Sequence, residues 1–188
     1  MFETRGTDLR SRITHAATQL FATRGYAGTS MREVAEAARC TKPALYYYFD
    51  NKAALFLQLI HDETERIAAI LEEQLLASGS VRERIRLGMH RYLDHIRKNR
   101  TGLNLLQRSD MHPEHDQPAF DFRSSRQMFI DIIMRLLEEG VQSCEIRKDL
   151  TLEDAAVALI GCVDQRCMRW VLDDEEIPID YPERVLSL

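Results

Sequence analysis

Residues 29–49, TSMREVAEAARCTKPALYYYF, constrain the fold more than any other stretch, because they encode two short helices and the break between them. Ser30 stands where the first helix needs an N-cap, and Glu33, three residues on, completes a capping box with it. Val34, Ala35 and Ala38 follow as an apolar stripe at helical spacing. Arg39 and Cys40 form the break. Thr41 supplies a second capping hydroxyl, and Pro43 falls in the next first turn, where a missing N–H costs nothing. Leu45, Tyr48 and Phe49 share one side of the second helix, leaving Lys42, Ala44, Tyr46 and Tyr47 on the other. Two helices joined by three or four residues make a helix-turn-helix.

The rest of the chain repeats the helical period, and no strand alternation survives, so the expected class is all-α. Leu9, Ile13, Ala16, Ala17, Leu20 and Phe21 mark a helix over 8–24 that Gly25 stops. Asn51 can cap a long helix from Lys52 to about Ala77. Ser80 and Glu83 form a second capping box, opening a helix over 81–98. A break over Asn99–Gly102 and a short helix over 103–108 are expected next. Residues 109–118 hold two prolines, two histidines and three acids. His112 and His115 are three apart, but no helix or strand frames them as ligands, so a solvated loop is the stronger reading than a metal or ligand site. The stretch 120–142 is apolar nearly all round, the mark of a helix buried on more than one side. Thr151 with Asp154 opens a last long helix to about Leu172, carrying Ala155, Ala156, Ala158 and Gly161. Residues 173–188 are acidic, contain two prolines and read as a loose tail.

Charge and motif content exclude several classes. The net charge is −5, but residues 1–50 hold seven Lys+Arg against five Asp+Glu, whereas the remainder holds 18 against 25. The basic excess therefore sits with the helix-turn-helix, which is where phosphate contacts would need it. No apolar run approaches the roughly 18 residues of a membrane span, and the amino terminus lacks the apolar core of a signal peptide. The four cysteines show neither CxxC nor metal-finger spacing, so a reduced, cytoplasmic protein without a metal is expected. No Gly-rich phosphate loop, nucleophile elbow or HExxH is present, so neither catalysis nor a cofactor is expected.

The run from Gly25 to Leu55 resembles the DNA-binding segment of TetR-family transcriptional regulators. The matching pieces are Leu20-Phe21, Gly25-Tyr26, Thr29-Ser30, Glu33-Val34-Ala35, Thr41-Lys42, Leu45-Tyr46 through Phe49, and Lys52 through Leu55. One departure is Arg39, where members often carry Gly, the residue that enters a left-handed turn without strain. The resemblance implies a DNA-binding domain over 1–50 and a helical effector-binding and dimerisation domain over 51–188. It implies that Lys42, Ala44 and Tyr46 approach base edges and that Thr29, Tyr47 and Lys52 approach phosphates. Arg32 can reach either, and Ser30, Thr41 and Pro43 complete the set. Two long helices from each of two subunits would pair, with Phe129, Ile133, Leu137, Ala158 and Gly161 as interface residues. An effector pocket would draw on Met89, His90, Leu93, Leu106, Phe120, Met128 and Trp170. The expected partners are double-stranded DNA, a second copy of the chain and a small-molecule effector, with no membrane. The implied function is a homodimeric repressor released from a palindromic operator by that effector; the alternatives are a constitutive DNA-binding regulator and a protein–protein adaptor.

Overall fold

The computed structural model describes residues 3–187, with side chains from Leu9 onward, and holds helices and no strand among them. The helices are α1 (Glu3–Arg24), α2 (Met31–Ala37), α3 (Lys42–Tyr48), α4 (Lys52–Leu76), α5 (Val81–Lys98), α6 (Arg100–Met111), α7 (Phe122–Gln142), α8 (Leu152–Asp173) and α9 (Tyr181–Val185). They gather into two compact units. One comprises the chain through Thr64 together with Thr101–Phe120; the other comprises Glu65–Arg100 and the chain from Asp121.

The first unit is built on an aromatic cluster. Phe21 meets Phe56 edge-on at 5.2 Å between centroids, and Tyr26 meets Phe56 at 5.1 Å. Edge-to-face contacts add to the area term, which for one buried aromatic is worth about 1.5–3 kcal/mol. Ile13, Val34, Leu45, Phe49, Leu55 and Ile60 complete this core. The apolar stripes of α1, α2 and α3 thus converge as their spacing predicts.

In the second unit, α5 packs on α7, α8 and α9, and α7 packs on α8. The carbonyls that end α4 have no intrahelical partners. The buried Arg84 supplies them, donating to the Gln74 carbonyl at 2.7 Å and the Leu75 carbonyl at 3.0 Å while pairing with Glu139. Where α4 and α5 approach, a side chain at Gly88 would sit 2.9 Å from Gln74 Cγ.

Three expectations are corrected. The break at 99–102 shrinks to Asn99, because Gly102 and Leu103 are buried within α6 and packing overrides the poor helix propensity of glycine. The tail is not loose. Ile177 and Pro182 are buried, the Tyr181 hydroxyl donates to the Cys162 carbonyl at 2.8 Å, and Glu175 pairs with Arg166 and Arg169. Finally, α7 buries Ile132, Ile133, Leu136 and Leu137, while Met128, Phe129, Ile130 and Met134 remain half-exposed.

Candidate nucleic-acid interface

The helix-turn-helix forms through the devices its sequence encodes. The Ser30 hydroxyl accepts from the Glu33 N–H at 3.3 Å, and the Glu33 carboxylate accepts from the Ser30 N–H at 2.9 Å. The Ser30 hydroxyl, 2.7 Å from the Glu33 carboxylate, and then the Ser30 N–H hold the Glu33 carboxyl below the usual carboxylate range, with Arg24 and Arg32 assisting. At the other end of α2, Arg39 adopts the left-handed conformation itself, with φ of 51°. The Cys40 N–H reaches the Ala35 carbonyl at 2.9 Å and the Arg39 N–H reaches the Glu36 carbonyl at 3.1 Å. This is a Schellman ending. Arginine therefore keeps the turn that glycine would make, at a conformational cost. The Thr41 hydroxyl then accepts from the Ala44 N–H at 3.3 Å and starts α3.

The two sides of α3 separate as its pattern requires. Leu45 and Phe49 are buried, whereas Lys42 and Pro43 are exposed and Ala44 is half-exposed. Tyr46 is 47% exposed and Tyr47 82% exposed, and the Tyr47 ring leans edge-on against Tyr48 at 5.1 Å. The Lys42 ammonium has no partner among the described residues. Arg32 lies exposed on α2, paired with Glu36 at 3.1 Å. An accessible cation, two phenols and a small residue on one helical face can donate to phosphates and base edges and pack against thymine methyls.

Two residues expected at phosphates also bond within the first unit. Thr29 is buried, and its hydroxyl donates to the Gly25 carbonyl at 2.9 Å. Lys52 donates to the Tyr26 carbonyl at 2.9 Å and lies 4.1 Å from the Tyr26 ring centroid. Both side chains brace the turn between α1 and α2. The Thr29 bond is local, four residues back to Gly25, whereas the Lys52 bond spans 26 residues and closes only in three dimensions.

A third brace has no sequence signal. Glu114 follows α6 by three residues, and its carboxylate accepts from the Tyr26 N–H at 3.1 Å and the Ala27 N–H at 2.7 Å. Arg108 pairs with the same carboxylate at 3.1 Å. The Ala27 N–H above all, then Arg108 and the Tyr26 N–H, hold the Glu114 carboxyl below its usual range against partial burial. The stretch 109–118 is accordingly more than a solvated loop: Glu114 is docked, while His112 and His115 are exposed and His115 pairs with Asp116. Among the described residues no three metal-ligating side chains come together.

The expected effector residues are divided between the two units. Leu106 and Phe120 belong to the first unit, whereas Met89, His90, Leu93, Met128 and Trp170 belong to the second. Met89 and Leu93 are core. His90 bonds to Glu183 of α9 at 2.9 Å, and Trp170 carries the Arg100 guanidinium 4.9 Å from its ring centroid. Met128 lines a groove of about 290 Å³ with Glu72, Gln127, Asp131 and Arg135. Of the expected interface residues, Ile133 and Leu137 are buried in their own unit and Phe129 is half-buried; Ala158 and Gly161 are exposed on α8.

A family model described as bacterial regulatory proteins, tetR family, matches residues 13–59. The HTH-type transcriptional activator FasR of Mycolicibacterium smegmatis is 24% identical over 173 residues, which cover 91% of this chain and 76% of that protein. A TetR-like transcriptional regulator from Rhodococcus sp. RHA1 superimposes with a TM-score of 0.73 at 27% identity, covering 95% of this chain and 92% of its own. The transcriptional regulator FadR from Bacillus subtilis, in complex with stearoyl-CoA, superimposes with a TM-score of 0.75 at 22% identity, covering 95% and 96%. The family match falls on residues 13–59, the braced helix-turn-helix, and the likeness in fold extends over almost all of the chain, so the chain carries a tetR-type DNA-binding segment within a TetR-like fold.

Proposed function

We propose that the chain acts in the cytoplasm as a homodimer that reads a palindromic operator through α3 and releases it on binding a small-molecule effector. The observation that carries this reading is the outward face of α3, with Lys42, Tyr46 and Tyr47 exposed beside Ala44 and Pro43. Ser30, Arg32 and Thr41 flank that face at the starts of α2 and α3. In this reading residues 1–50 touch DNA, and residues 51–188 dimerise and take the effector. Two recognition helices one turn of duplex apart, about 34–36 Å, would meet successive half-sites.

The exposed face of α8 supports dimerisation. Val157, Ala158 and Gly161 lie outward, and a Cβ added at Gly161 would meet nothing within 4 Å. For the effector, the stearoyl-CoA bound by the Bacillus subtilis regulator makes long-chain acyl thioesters the first class to try. The output is repression where the operator overlaps the polymerase site. The activator among the relatives makes activation the second reading.

The test is selection of bound sequences from random duplex DNA, followed by binding of the selected operator. Lys42→Ala and Tyr46→Ala should each weaken specific binding by about 1–3 kcal/mol, the worth of a base-edge contact. Equal operator affinity of both variants and the parent would refute the α3 interface. Absence of any salt-dependent DNA affinity would leave the adaptor reading in its place.

A further inference from the structure

We propose that Glu114 is a positioning residue for operator binding, holding the turn between α1 and α2 so that the amino-terminal end of α2 is presented to the duplex. The proposal rests on the DNA-binding reading above. Its carboxylate is the sole described acceptor for two adjacent amides of the turn, with Oε1 taking the Tyr26 N–H and Oε2 the Ala27 N–H. The turn is shaped around it. Gly25 has φ of +79°, and a Cβ there would lie 1.8 Å from Glu114 Oε1 and 2.5 Å from the Arg108 guanidinium. The same turn carries Thr29, whose hydroxyl closes on Gly25, and leads directly into the Ser30 cap.

Glu114 comes from a distant part of the chain. It sits 87 residues beyond Ala27, in the segment 101–120, and the chain before and after that segment belongs to the other unit through α5 and α7. A capping interaction within α1 and α2 would be local and indifferent to those elements. A carboxylate supplied from 101–120 instead makes the set of the DNA-facing turn depend on where the end of α6 stands. Arg108 fixes that carboxylate from the last turn of α6 itself.

The experiment compares the full-length parent with Glu114→Ala and Glu114→Gln. Glutamine keeps the shape but turns an amide NH2 toward one of the two N–H donors. Operator affinity is measured at several salt concentrations on protein whose helicity and oligomeric state match the parent. Amide hydrogen exchange is followed at Tyr26, Ala27 and the first turn of α2. Both variants should bind the selected operator about tenfold more weakly, the scale of a lost charge-assisted hydrogen bond. The salt slope should be unchanged, because no phosphate contact has been removed, and exchange at the named amides should accelerate. Accelerated exchange with operator affinity within twofold of the parent would reduce Glu114 to a local cap and overturn the proposal. So would unfolding of both variants. If the parent itself binds no DNA, the DNA-binding reading falls and this proposal falls with it; if the parent binds and the variants match it, only the proposal falls.

Discussion

Single residues here carry identifiable conformational and electrostatic costs. Arg39 holds a left-handed backbone that a β-carbon disfavours by roughly 1–2 kcal/mol. Part of that gain would be offset by the extra freedom glycine has in the unfolded chain. Arg39→Gly should therefore stabilise the protein by about 0.5–1 kcal/mol in denaturant unfolding, and a loss of stability would mean that the guanidinium serves the fold. Asp164 on α8 is a second case. It shows accessible surface, yet protein atoms crowd it from most sides, as happens to a side chain at a recess rather than on an open face. Desolvation pushes its carboxyl up to about 6, against the opposing effects of the Tyr92 hydroxyl and Arg126. The unfolded chain loses that proton near pH 3.9. Between those values the folded state holds more protons, so this contribution to stability is complete below about pH 3.9 and is lost as pH rises through about 6. Asp164→Asn should flatten the decline over that window in urea unfolding across pH 4–7. An unchanged slope would show that Asp164 is freely hydrated. Cys167, buried beside it, is pushed up to about 12 by the same desolvation and is a core thiol.

At the scale of elements, α7 and α8 divide the work that the sequence assigns to both. The apolar ring of α7 turns Ile133 and Leu137 into the second unit, whereas α8 leaves Val157, Ala158 and Gly161 outside. Charges placed on the two helices should therefore fail differently. Ile133→Asp puts an unpaired carboxylate in a core and should unfold the second unit. Ala158→Asp should leave a folded chain that sediments as a monomer and has lost operator affinity. A dimeric, operator-binding Ala158→Asp protein would move the interface off this face of α8.

For the whole molecule, an effector must bind the DNA-competent and DNA-released states with different affinity. Stearoyl-CoA is the probe. It should weaken operator binding, and saturating operator should weaken stearoyl-CoA binding by the same factor, because binding linkage is reciprocal. Trp170 fluorescence offers the second signal, since the indole is half-exposed and carries the Arg100 guanidinium over its ring. Binding with no change in operator affinity would leave stearoyl-CoA a bystander. No described helix is long and apolar enough to cross a membrane.

The sequence by itself determined what local physics can encode. The capping boxes at Ser30 and Ser80, the turn at Arg39 and Cys40, and the ends of α4 and α5 are all written within a few residues of where they act. The all-α class followed from the period of the apolar residues, and the inward Leu45 and Phe49 against the outward Lys42, Tyr46 and Tyr47 followed from one helical turn. Tertiary structure decided whatever depends on partners far apart in the chain. It brought Lys52 onto the Tyr26 carbonyl as a brace of the Gly25–Tyr26 turn. It docked Glu114 there, folded the acidic tail against α5 and α8 through Glu183 and Tyr181, and separated the buried side of α7 from the exposed side of α8. The physical reason is the same in each case. A hydroxyl, ammonium or carboxylate in the sequence announces that it needs a partner, but only the fold brings one within hydrogen-bonding distance.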